Sequence, residues 1–284
     1  MKEKHPISRR EALRCMLTTA GIMSISPSLM GFYDQLTGMF DCQRGNSYQQ
    51  SLSPDRFFIN RIREALKGDG QMPVLPMSSN QRHYDIYTLL FADKAVRKGS
   101  VRLNLNKNTL TVEVERTGWL PENYCQYTFV TQEIRPDGLL SPISWQYKSY
   151  LAKTMLDMPY RTPLEGTGEY DDKGRITIIE GLSSHKYQAS LPATINRNLL
   201  LAIDGLAKGD LPFSFDIIDE YDLYAGARKI QAYGTAEIES DGKTTALHAV
   251  VMTGQGTLPT FFWLDENDIP LFVNTATEVL IISR

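Results

Sequence analysis

The chain has 284 residues, 42% hydrophobic and 22% charged, with a net charge of −3. That is enough chain to bury a sizeable core, as one large β domain or two small ones. The charge balance excludes the basic stripe that nucleic-acid binders carry, and disfavours attraction to an anionic membrane surface by charge alone.

The N-terminal segment differs from the rest. Lys2, Lys4, Arg9, Arg10 and Arg14 stand against Glu3 and Glu11. With residues 1–32 removed, the remainder carries −6. Cys15 to Met23 form a short, mildly apolar run. A charged stretch before such a run reads as an export signal. It is too short to span a bilayer, which takes roughly 20 apolar residues, and Pro27 interrupts its continuation. The stretch "SRREALR" at 8–14 resembles the twin-arginine export motif, S-R-R-x-F-L-K. Ser8, Arg9, Arg10 and Leu13 match, Ala12 stands in the usual Phe position and Arg14 in that of Lys. The resemblance implies delivery to the periplasm by the twin-arginine (Tat) export machinery, with the chain already folded. A Sec signal or a basic arm containing two arginines is the other reading. Candidate cleavage points lie between Ser24 and Phe32. Cys42 follows Met39-Phe40-Asp41, a poor lipobox, so a lipid anchor is not expected.

Residues 33–52 lack periodicity and read as a tether. From 53 to 284 we expect a single β-rich domain opening with a helix. In "SPDRFFINRIREALKGDG", Ser53 is the N-cap and Pro54 the first helical residue, Phe58, Ile62, Ala65 and Leu66 share a face, and Gly68 ends it. Cys42 and Cys125 either pair in an oxidising compartment or remain two thiols.

The period then changes to two. Val101, Leu103 and Leu105 alternate with polar residues, as do Leu110, Val112 and Val114 after Asn106-Lys107-Asn108, which predicts a hairpin with one buried face. "YCQYTFV" and "ISWQYKSYL" predict strands on either side of Pro136-Asp137-Gly138. "LEGTGEYDDKGRITIIEG" predicts a hairpin with its tip at Asp172-Lys173-Gly174. A helix over 195–208 follows, capped by Thr194 or Asn196, with Leu199, Leu200, Ile203 and Leu206 on its apolar face and Gly209 stopping it. "FSFDIIDEYDLY" predicts one strand with Phe213, Phe215, Ile217, Tyr221 and Leu223 on one side. "RKIQAYGTAEIE" predicts another with Ile230, Ala232, Ala236 and Ile238 together. "TALHAVVMT", "TFFWLDENDIPLFVN" and "TEVLIISR" supply the rest. The fold class is β-rich, all-β to α+β: a curved antiparallel sheet or half-barrel with a central helix, or alternatively a two-sheet sandwich.

Chemistry-bearing groups are scattered. Asp265, Glu266 and Asp268 sit where a hairpin tip is expected, without the alternating oxygens and glycine of a calcium loop. Asp216, Glu220 and Asp222 read as a solvated strand face, with Asp219 opposite. His83, His185 and His248 match no metal spacing, and no G-x-S-x-G elbow occurs. "GQGTLP" reads as a strand connection. No catalytic residue, metal or cofactor is assigned. Trp145, Tyr147, Tyr150, Phe261, Phe262 and Trp263 lie on strands, as core or as the lining of a bowl.

The stretch "LPFSFDIIDEYDLYAGARKIQAYGTAEIE" through "LPTFFWLDENDIPLFVNTATEVLII" resembles exported bacterial β half-barrel proteins of unknown function. Their architecture is distantly similar to lipoprotein carriers such as LolA and LolB. The resemblance implies a binding role in the cell envelope. The alternation places Phe215, Ile217, Tyr221, Ile230 and Ala232 inward, the first four as candidate ligand-binding residues, behind a loop at 76–83. The alternative function is an exported hydrolase or lyase acting on a glycan or small ester, with carboxylates and His185 or His248 in a cleft.

Overall fold

A computed structural model describes residues 80–88, 96–117, 124–219, 221–240, 243–254, 258–275 and 278–283. The signal motif, the tether with Cys42 and the expected helix at 53–68 lie outside the described residues.

Among the described residues, fifteen strands form one curved, unclosed sheet, so the sandwich alternative falls. The first eight are β1 (Gln81–Thr88), β2 (Val96–Asn106), β3 (Thr109–Thr117), β4 (Cys125–Ile134), β5 (Pro142–Ala152), β6 (Leu164–Tyr170), β7 (Arg175–Glu180) and β8 (Ser183–Gln188). They run as an antiparallel meander. After β9 (Ala193–Ile195) come a 3-10 turn (Asn196–Asn198) and helix α1 (Leu199–Lys208). Next are β10 (Phe213–Asp219), β11 (Leu223–Ser240), β12 (Lys243–Gly254), β13 (Thr260–Leu264), β14 (Pro270–Asn274) and β15 (Glu278–Ile282). β15 returns to pair with β1, Tyr84 opposite Ile282, which joins the two meanders at the middle of the sheet. β9 pairs parallel with β10. A parallel pair needs a crossover, and α1 is that crossover.

Cross-strand rows show why one face turns inward. Leu103, Val112, Val130, Tyr147 and Gly166 are successive partners from β2 to β6, and the four side-chain-bearing residues among them are buried. The adjacent row on the other face is Arg102, Glu113, Phe129, Lys148 and Glu165. There Lys148 Nζ lies 2.9 Å from Glu165 and Arg102 4.0 Å from Glu113. Alternation at period two thus separates a core face from a charged one.

Several expectations need correction. Neither Thr194 nor Asn196 caps α1. Thr194 Oγ1 donates to Leu139 O at 2.8 Å, Asn196 Nδ2 donates to Asp219 Oδ1 at 3.2 Å, and the N-cap is Asn198 with no side-chain cap bond. The stretch 213–223 is not one strand. A turn after Asp219 separates β10 from β11, and Tyr221 occupies it with φ 73°, a left-handed value unusual for a residue with a ring. Along β11, Ala232 is exposed. The register shifts between Ala232 and Gly234, so Tyr233 is an extra residue, and Ile230 and Ile238 lie on opposite faces. A bulge reverses the alternation that simple counting carries through. Asp216 is no solvated face residue but fully buried. The 76–83 loop is not wholly a loop either, since Gln81, Arg82 and His83 belong to β1.

Candidate functional site

Helix α1 lies against the inner face, with Leu199 and Ile203 completely buried. Polar groups tie it there. Arg82, whose side chain is wholly buried, reaches Asp204 at 2.8 Å. Burial pushes the Asp204 carboxyl up despite the lowering pull of Arg82. Gln132 and Asn198 exchange two amide hydrogen bonds, each 2.9 Å, and Asn198 Nδ2 also donates to Leu140 O. Tyr84 donates to Pro270 O at 3.1 Å, and burial raises its phenol above the ordinary range. A buried polar group needs such partners, and these fix the helix position as well as satisfying the groups.

The two edges of the sheet, β8 and β9, are not paired with each other, and aromatic rings line the seam between β8 and the strands β9 to β11. The Tyr187 and Tyr224 rings stack at 5.4 Å, with His185 stacked beyond Tyr187 at 6.5 Å. Tyr224 donates to Asp216 Oδ2 at 2.8 Å, and the Ser190 and Leu191 N–H groups donate to the same oxygen. Burial, then the Asp216 carboxylate, raises the Tyr224 phenol. Deeper in, the Trp145 indole N–H donates to Tyr221 O at 3.0 Å, and the Tyr147 and Tyr221 rings stack at 6.4 Å.

Two glycines make this arrangement possible. A Cβ on Gly168 would lie 1.9 Å from the Trp145 ring, and one on Gly166 would lie 2.4 Å from the Tyr147 ring. Both rings therefore lie flat across β6. The signal was present in the sequence as G-T-G in one strand opposite W-Q-Y in its neighbour.

The four candidate ligand residues come together in the core. Phe215, Ile217, Tyr221 and Ile230 are all buried, Tyr221 from its turn and the others from β10 and β11. His248 and the acidic hairpin tip meet on the surface. His248 Nε2 lies 2.7 Å from Asp268 Oδ1, with Lys208 Nζ 3.7 Å from Asp268 Oδ2. Asp265 accepts the N–H groups of Asn267 and Ile269, both at 2.9 Å, as its turn reading requires. This cluster staples the β13–β14 turn to β12 and the end of α1. His185 belongs to the aromatic seam instead. Cys125 is a free thiol at the start of β4. On the outer face of β3–β7 lie two shallow depressions of about 540 and 550 Å³, with Thr131, Gln146 and Thr167 in both. Among the described residues no group of His, Cys, Asp and Glu could hold a metal ion, and no helix is long and apolar enough to cross a membrane.

The described residues therefore form a β half-barrel: one curved, unclosed sheet about a single helix. A comparison with solved structures aligns it with a β-barrel-like protein of domain of unknown function DUF1849 from Brucella abortus. The two share 12% identity with a TM-score of 0.47, over 72% of this chain and 95% of that one. No protein-family model matches the sequence, and no curated protein matches it.

Proposed function

We propose that the protein is an exported, non-catalytic binding protein of the bacterial cell envelope, holding an apolar ligand against the inner face of its sheet. The observation that carries this reading is the unclosed seam, with one stacked aromatic pair, Tyr187 and Tyr224, at its edge and another, Tyr147 and Tyr221, in the interior with the buried apolar residues Phe215, Ile217 and Ile230. An apolar site with a few fixed polar groups is the usual build of a small-molecule pocket. Trp145 and Tyr147 supply flat faces, and Tyr221, on a strained turn rather than a strand, is the element that moves to admit the ligand. The acidic and histidine groups support this reading over hydrolysis, since they serve turns, hydrogen bonds and stacking at separate places.

The test is titration of the purified mature chain with N-phenylnaphthylamine, an apolar fluorophore. Saturable binding is expected, weakened about tenfold by Tyr221→Ser, the equivalent of one lost apolar contact surface. Tyr224→Phe, which keeps the ring and removes the bond to Asp216, should alter it less. Absence of saturable binding by the folded chain would overturn the reading.

A further inference from the structure

The register places two connections at one end of the sheet. Cys125 pairs with Ala152, Ser149 with Leu164, and Gly166 with Glu180. The β5–β6 loop (153–163) and the β7–β8 turn (181–182) therefore leave the sheet side by side. Among the described residues, most of the exposed large apolar side chains gather here. Leu156 is 96% exposed and Met158 90%, Leu182 is fully exposed, and Met155, Tyr160 and Ile179 stand out beside them. Soluble proteins seldom keep such a group in water without a partner for it.

The loop does not hold these side chains out for want of structure. The Asp157 carboxylate accepts the Thr154 N–H at 2.9 Å, Tyr160 N–H donates to Leu151 O at 2.7 Å, and Tyr150 Oη donates to Met155 O at 3.1 Å. Tyr160 packs on Tyr124 at 4.9 Å. The backbone is pinned while its apolar side chains point into solvent. Charge completes the pattern. Lys153 and Arg161 are exposed at this end, and Arg161 lies over the Tyr160 ring at 5.7 Å. The neighbouring acids are engaged: Asp157 with Thr154, Glu165 with Lys148 and Glu180 with Tyr147.

We infer that this end of the sheet docks on a phospholipid bilayer. Leu156, Met158 and Leu182 enter the acyl region, Tyr160 sits at the interface, and Lys153 and Arg161 meet lipid phosphates. Apolar side chains set within a ring of tyrosine and basic groups match the layering of that interface. The chain's overall acidity does not oppose this, because Lys153 and Arg161 flank the apolar side chains of the loop and phosphate is present in every phospholipid. The inference extends the envelope reading but does not depend on the interior ligand. Loss of probe binding with vesicle binding intact would defeat only the earlier proposal, and the converse only this one.

Sedimentation of the purified full chain with vesicles of phosphatidylethanolamine and phosphatidylglycerol tests it. The unaltered chain should pellet with the vesicles. Leu156→Asp with Met158→Asp should lose at least about tenfold in partitioning at unchanged circular dichroism. Leu156→Trp guards against a folding artefact: its emission should shift to the blue on vesicle addition and be quenched by brominated lipid. Failure of the unaltered chain to bind, or equal binding by the double variant, would overturn the proposal. So would concentration-dependent self-association that the double variant abolishes without any vesicle binding, because the rim would then serve a second copy.

Discussion

Gly168 and Asp171 show how single residues set the inner face and its turns. Because the Trp145 ring occupies the place of a Gly168 side chain, Gly168→Ala must displace an indole that also holds Tyr221. Overpacking of this kind costs about 1–3 kcal/mol. Chemical denaturation should show that loss together with an altered tryptophan emission. Gly138→Ala, whose Cβ would meet nothing within 4 Å, should stay within about 0.5 kcal/mol of the unaltered chain. Asp171 works through charge. The Arg175 backbone N–H foremost, then the Arg175 side chain and the Lys173 N–H, hold its carboxyl below the usual range. A depressed folded-state value stabilises the fold above the unfolded value, about 3.9, and the gain is lost as pH falls through the folded one. Asp171→Asn should therefore lower Tm at neutral pH, and the gap between the two melting curves should close as the medium is acidified below about pH 4.

Helix α1 is the element on which the interior depends, and its attachment to β1 is asymmetric. Arg82 is wholly enclosed, whereas Asp204 keeps 22% of its side chain in contact with solvent. Removing one partner of a buried pair costs roughly 3–5 kcal/mol when the other charge is left enclosed. Asp204→Ala leaves the guanidinium enclosed without its carboxylate and should fall in that range. Arg82→Met leaves a carboxyl that reaches water and, being raised already, takes up a proton more readily, so it should cost less. Urea unfolding of the two variants checks the order, and equal losses would contradict it. The Gln132–Asn198 pair does for the start of the helix what Arg82–Asp204 does for its middle.

At the scale of the whole molecule, the half-barrel is held by contacts far apart in sequence. β1 and β15 join at the centre, and the Asp216 carboxylate draws the segment after β8 toward β10. Such a chain completes its core only when its last strand is present. If the twin-arginine reading is right, replacing Arg9 and Arg10 together by Lys should keep the protein in the cytoplasm of fractionated cells. Undiminished delivery of the mature protein to the periplasm would reject it.

The sequence alone determined the antiparallel hairpins, because period-two alternation and the turns at 107–108, 136–138 and 172–174 are local signals. It also determined the apolar stripe of α1 and the turn role of Asp265. Tertiary structure decided where counting along the chain misleads. The extra residue at Tyr233 reverses the alternation of β11, and the turn at Tyr221 divides what reads as one strand, since a bulge and a left-handed residue are selected by neighbouring strands rather than by local preference. Asp216 looked solvated because its donors, Ser190, Leu191 and Tyr224, come from elements whose approach the alternation does not encode. The same holds for the apolar end of the sheet. Leu156, Met158 and Leu182 are unremarkable hydrophobic residues in the sequence, and only the register of β4 to β8 gathers them at one rim.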